Sequence, residues 1–290
     1  MKKILNLLLI LIIIFGCTAE AQDITTQKRK SSGYNMLLIG HSFFKPYANH
    51  LEIMAMKTGL KNHNSKLVYR GGKNGLPINF WNDSTCEEHK LIKFTLDQGN
   101  VDVFGMASGH IKENPTAGYS EWIKYALNKN PKIKIFISIS PFDYPNGNSN
   151  GSRPNWNKFA LNYGFNTVQE LYDYYVKMIH KEIVDKLREE FPGTKIFTIP
   201  TGWATKNLAQ MNFDNKLLDN IEMFGPKSKS IFRDERGHQG QIVIETGTMI
   251  WLNSIYNTNL VTLNHDTGYN TDLKKIAQEI IDRHDIKYKQ

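Results

Sequence analysis

Cysteine is nearly absent: the 290-residue chain has two, at positions 17 and 86, which excludes the disulfide scaffolds of small secreted domains. Long apolar runs are absent after residue 15, so no internal segment reaches the roughly 20 residues that a bilayer span needs. Acidic residues are the scarcer charge, 28 Asp and Glu against 36 Lys and Arg, and the formal +8 points to an anionic partner. The basic residues are dispersed and form no recognition motif, so nucleic acid is not expected among the partners. What is present is ordinary for a globular chain. At 40% hydrophobic, 11% aromatic and 22% charged, it is neither disordered nor collagenous nor a bare repeat, and it is long enough for one large domain or two small ones.

The one apolar run sits at the start. Met1-Lys2-Lys3 is basic, 4–15 is almost wholly aliphatic, and Gly16-Cys17 follows. About a dozen apolar residues fit the h-region of an export signal rather than a span. Ile14-Phe15-Gly16-Cys17 resembles a bacterial lipobox, which implies lipidation at Cys17 and an envelope lipoprotein held to a membrane by that anchor; an ordinary signal cut near Ala19 or Ala21 is the alternative. Loss of Lys2 and Lys3 with residues 1–17 leaves 34 basic against 28 acidic residues, a formal +6, with Cys86 as a lone thiol. Residues 18–33 are polar and aperiodic, as in a flexible tether, and the folded domain is expected over 34–290.

Short apolar runs then alternate with helical patterns. Strands are expected at 36–39, 66–69, 101–104, 132–139 and 195–199, and helices from Pro46 to Gly59, over 87–96, over 168–191 and, last, over 241–256. Strands alternating with helices argue for an α/β protein, a three-layer α/β/α sandwich around a mostly parallel five-stranded sheet. Sites of such sheets lie beyond the carboxyl ends of the strands. Those ends carry Gly40-His41-Ser42 after the first strand, Arg70-Gly71-Gly72-Lys73-Asn74-Gly75 after the second and Gly105-Met106-Ala107-Ser108-Gly109-His110 after the third; Arg233-Asp234-Glu235-Arg236-Gly237-His238 precedes the 241–256 helix.

In order and spacing these blocks resemble the SGNH (GDSL-like) hydrolase superfamily, from about Tyr34 to Tyr256. The resemblance implies a flavodoxin-like fold and an esterase that needs no cofactor. Ser42 matches the nucleophile, with His41 where Asp is usual, and His238 matches the base. The usual Asp-x-x-His spacing would select Glu235 as the acid that orients the imidazole, whereas the Gly-His ending favours Asp234, the residue preferred here. The Ser42 and Gly71 N–H groups match the oxyanion donors, with Gly72 as the alternative. The family's third donor, an Asn after the third strand, has no counterpart, and Ser108, His110 or Asn114 would have to replace it.

No short metal-binding spacing joins His41, His110 and His238, so no metal is expected. His41 and His110 are instead candidates for holding substrate. The segment 141–165, rich in aromatic and amide residues, reads as a lid or subsite wall for sugar rings, with Trp156 as a substrate contact; packing on the domain itself is the alternative. Trp81 and Trp203 either line the same cleft or cover the core. Arg70, Lys73, Arg153, Arg233 and Arg236 would suit an acidic or sulfated glycan. The expected activity is removal of acetyl or other acyl groups from a carbohydrate or another acylated small molecule; a non-catalytic glycan binder on the same scaffold and a glycan hydrolase of different bond specificity are the alternatives.

Overall fold

The computed structural model describes residues 32–141 and 156–290. The signal segment with Cys17, nearly all of the tether, and residues 142–155 of the aromatic segment, Arg153 included, lie outside the described residues.

Five parallel strands form the central sheet in the order β2-β1-β3-β4-β5: β1 Asn35–Gly40, β2 Asn64–Tyr69, β3 Val103–Ala107, β4 Lys134–Ser138 and β5 Ile196–Ile199. Every residue of β3 and β5, and all but the first of β1 and β4, is buried, as expected when helices cover both faces of a parallel sheet. The helices are α1 Lys45–Lys57, α2 Pro77–Asn82, α3 Glu87–Asp97, α4 Tyr119–Lys129, α5 Trp156–Leu161, α6 Val168–Met178, α7 Lys186–Glu190, α8 Gly202–Phe213, α9 Gln241–Tyr256 and α10 Leu273–Arg283. One apolar core gathers side chains of α1, α8, α9 and α10 on one face, and the other gathers α3, α4 and α6 on the opposite face. The result is the three-layer sandwich expected from the alternation. Because β2 and β3 flank β1 on opposite sides, the chain reverses direction across the sheet at the carboxyl end of β1, which opens a crevice there.

Helix α9 is buried almost all round, which makes it the centre of its layer. Trp251 packs edge-on against Phe44 and Phe136 and donates its indole N–H to Thr201 Oγ1 at 2.8 Å. On the same helix the buried Glu245 lies 2.6 Å from His50 Nε2 of α1 and also meets His265 Nε2, so a carboxylate inside the layer is held by two imidazoles.

Helices α2, α4, α5 and α8 have no counterpart among the expected elements, and three further features depart from the expectation. The third strand runs to Ala107, so Gly105, Met106 and Ala107 belong to the sheet rather than to the loop after it. The helix over 241–256 is followed by another, α10, capped by Asp272, whose carboxylate accepts the Lys275 N–H at 3.0 Å. The expected helix over 168–191 is interrupted between α6 and α7 by a π-helical stretch, Ile179–Asp185.

That stretch turns His180 inward, where it stacks on Tyr288 with ring centroids 3.6 Å apart and lies 3.0 Å from Thr198 Oγ1. His284 Nε2 lies 2.9 Å from the same hydroxyl. Burial, reinforced by the mutual repulsion of the two rings, lowers the His180 pKa to about 3, and burial with the Lys289 charge lowers that of His284 to about 4. Burial also lowers the pKa of His63. Below the ordinary value of 6.5 the unfolded chain takes up protons that these folded imidazoles refuse, so stability is full above that pH and falls beneath it. At pH 5 the loss is expected to be roughly 2 kcal/mol for each of His180 and His284. Urea midpoints at pH 7.5 and 5.0 check this; equal midpoints would refute it.

Candidate active site

Four chain segments meet at the crevice. The strand β1 ends in Gly40 and runs into a turn closed by the Phe44 and Lys45 N–H groups, both donating to His41 O at 3.0 Å. Ser42 sits in this turn ahead of α1. Its neighbour His41 is 8% exposed, and its Nδ1 accepts the Phe43 N–H at 3.3 Å, so the ring helps shape the turn. Beneath lies Gly75: a Cβ there would stand 2.5 Å from Gly40 O and 2.7 Å from the His41 Cα, so only glycine lets the two turns approach this closely.

A small parallel pair, β6 Glu222–Phe224 and β7 Ser230–Phe232, brings in the opposite wall. From β7 the chain makes a tight loop closed by the Arg233 N–H donating to His238 O at 2.9 Å and by the Gly240 N–H donating to Ile231 O at 2.7 Å. Gly237 takes φ +83° inside it, a conformation that glycine adopts without strain. Asp234 Oδ1 accepts the N–H groups of Arg236 and His238 at 3.1 and 3.2 Å, and Asp234 Oδ2 lies 2.6 Å from His238 Nδ1. His238 Nε2 lies 2.9 Å from Ser42 Oγ. Phe43 stacks on the imidazole, centroids 5.0 Å apart, and Gln239 donates from Nε2 to Phe43 O at 3.4 Å, so two further contacts tie the loop to the turn.

Partial burial pushes the Asp234 carboxyl up, but the hydrogen bonds from the His238 ring and from the His238 and Arg236 N–H groups outweigh it and leave the pKa below the usual value. A carboxylate facing Nδ1 favours the tautomer with its proton on Nδ1, which leaves Nε2 free to accept from the Ser42 hydroxyl. Glu235 is exposed and contacts neither.

The structure thus brings Ser42, His238 and Asp234 together. The Ser42 and Gly71 N–H groups make no hydrogen bond among the described residues. Of the replacements considered for the absent Asn, Ser108 Oγ accepts the Ser140 N–H at 3.0 Å and lies 3.3 Å from Tyr175 OH. His110 Nε2 lies 2.6 Å from Glu182 of the π-helical stretch. Asn114 is exposed in the loop before α4.

Trp156 departs from the expected substrate contact. It opens helix α5, is 5% exposed and packs edge-on to Phe232, because an apolar ring at the start of a short helix is better covered by β7 than left in a cleft. Trp81 packs edge-on to Trp122, and Trp203 to Tyr172, so both cover the core. Arg70 is ion-paired to Asp83 at 3.1 Å. Among the described residues no group of three His, Cys, Asp or Glu side chains is placed to hold a metal ion.

Several site residues were missed in the sequence. Phe43, Lys45, Asn49 and His50 follow Ser42 directly or at helical spacing, a signal that was available; Lys227 carried none, since only the fold returns it to Ser42.

Comparison with known proteins shows likeness of fold. The crystal structure of a DUF4886 family protein from Bacteroides uniformis ATCC 8492 superposes with a TM-score of 0.55 over 86% of this chain and 93% of that one, at 16% identity. The periplasmic domain of a lipopolysaccharide acetyltransferase from Salmonella ser. Paratyphi A is similar over 78% of this chain and 83% of its own, at 15% identity and a TM-score of 0.39. No family model matches the chain, and no curated protein does.

Proposed function

We propose that the protein is a serine esterase of the SGNH (GDSL-like) type that removes acetyl or other acyl groups from carbohydrate. The observation that carries this reading is the continuous Ser42–His238–Asp234 relay, with contacts of 2.9 and 2.6 Å, at the carboxyl end of β1. Ser42 Oγ attacks the ester carbonyl while His238 Nε2 takes its proton, and the Ser42 and Gly71 N–H groups stabilise the oxyanion. Collapse breaks the C–O bond to the sugar, whose oxygen receives the proton from His238, leaving an acyl-Ser42 ester. A water then attacks that ester, again losing a proton to His238; the acid is released and Ser42 regains its hydrogen.

A second reading, a glycan binder that lacks hydrolysis, draws on the commitment of Ser108 and His110 to other partners, which leaves the third oxyanion donor unassigned. A fluorophosphonate probe separates the two: stoichiometric labelling at Ser42 supports the esterase, and no labelling supports the binder.

We further place the protein in a bacterial envelope, anchored through lipidated Cys17, on the basic start, the apolar run and the Gly16-Cys17 junction. Among the described residues no helix is long and apolar enough to cross a membrane. Cys17→Ser is expected to move the protein from the membrane to the soluble fraction; unchanged membrane association would rule out this anchor.

A further inference from the structure

The cleft on the α1 side of Ser42, about 380 Å³ in volume, has an uneven charge. Lys45, His50, Lys227 and Arg233 line it, and no Asp or Glu does among the described residues. Some lysines elsewhere are matched by carboxylates, as Lys90 is to Glu87, Lys129 to Asp97, Lys181 to Asp185 and Lys216 to Asp214. Lys45 and Lys227 make no ion pair among the described residues; the Lys45 ammonium instead lies over the Tyr69 ring, 3.5 Å from its centroid. Two nearby carboxylates are already committed. Glu245 is buried and spans His50 and His265, and Asp234 faces His238, with Arg233 Nε only 3.9 Å from the same oxygen. Asn49 and Gln241 add amides to the same wall, suited to sugar hydroxyls. Lys45 and Lys227, unneutralised on a concave wall, focus positive potential on whatever lies beside Ser42.

We infer that this cleft receives the alcohol part of an ester whose sugar carries an anionic oxygen group, a carboxylate or a sulfate, held by Lys45 and Lys227 with Arg233. The inference rests on the esterase reading and adds the substrate's charge to it. Arg70, which sequence alone nominated for the same role, does not line this cleft and is paired with Asp83.

The test compares kcat/KM on three acetylated oligosaccharides of one backbone: uronic acid, its neutral carboxyl-reduced counterpart, and a sulfated counterpart. The wild type is expected to favour an anionic substrate over the neutral one by about tenfold at low salt, with the advantage shrinking as salt rises. The better of the two anionic substrates identifies the group. Lys45→Gln with Lys227→Gln should bring the preference to near parity. Lys132→Gln with Lys195→Gln, an equal charge change at the opposite end of the sheet, should leave it intact. Equal rates on all three substrates, or equal losses in both double variants, would overturn the inference. Failure of the esterase reading looks different: no ester is turned over and no fluorophosphonate is bound. In that event calorimetric binding of the de-acetylated oligosaccharides to the same three proteins decides the subsite. Tighter binding of an anionic chain that is lost only with Lys45 and Lys227 upholds it, and indifference to charge overturns it.

Discussion

Ser42→Ala is expected to lower turnover of an activated acetyl ester by about 10⁴-fold or more and to abolish fluorophosphonate labelling. The effect is large because the hydroxyl forms the covalent bond; without it, only the oxyanion donors and binding remain to assist direct attack by water. The substitution removes one oxygen from a partly exposed side chain, and the backbone bonds that close the 41–45 turn do not involve that oxygen, so the folded state should persist. Retained thermal stability beside lost turnover separates chemistry from misfolding. Wild-type turnover by the Ser42→Ala variant would end the assignment of Ser42 as nucleophile.

Asp234→Asn should cost about 10⁴-fold in kcat, while Glu235→Gln should leave it near wild type. The local geometry explains the size of the first effect. Asp234 Oδ1 is held by the N–H groups of Arg236 and His238, so an asparagine keeps its oxygen there and turns its NH₂ toward His238 Nδ1. An NH₂ facing Nδ1 requires that nitrogen to accept, which places the ring proton on Nε2 and blocks transfer from Ser42. The loop still folds, but with the wrong tautomer. If Glu235→Gln shows the large loss and Asp234→Asn does not, the acid has been misassigned.

The sheet was legible in the sequence because parallel strands buried on both faces are continuous apolar runs, as in Met36-Leu37-Leu38-Ile39. Its boundaries were less so: Gly105 reads as the start of a loop, yet it lies within β3, where a Cβ would stand 2.2 Å from the Phe136 ring. Close packing against the neighbouring strands of the same sheet, invisible in one dimension, is why a glycine sits in that strand. The helix over 168–191 kept a regular apolar stripe, and nothing in that stripe marks the π-helical stretch, which follows from the contacts of His180 with Thr198 and Tyr288. At the site, Ser42 and His238 stood out by order along the chain and Asp234 was preferred to Glu235 only on the Gly-His ending, whereas Trp156 misled because an aromatic ring suits a sugar and a core equally well. The cations beside Ser42 depend on the return of the 227–233 segment to α1, a long-range placement that no local pattern announces.

Asp234 and His238, the proposed acid and base, share one short loop, knit by the Arg233 N–H to His238 O and by two N–H groups on the Asp234 carboxylate. They therefore form a single cassette, delivered whole. Ser42, the proposed nucleophile, arrives from a different part of the chain, and among the described residues the contacts that join the two include a Phe43 ring on His238, one Gln239 amide and the Ser42 contact itself. A shift of the loop relative to α1 would leave the Asp234–His238 distance intact and change the gap to Ser42 together with the Phe43 and Gln239 contacts. The proposed triad is thus assembled across a joint, and Lys45 and Arg233 lie on its two sides.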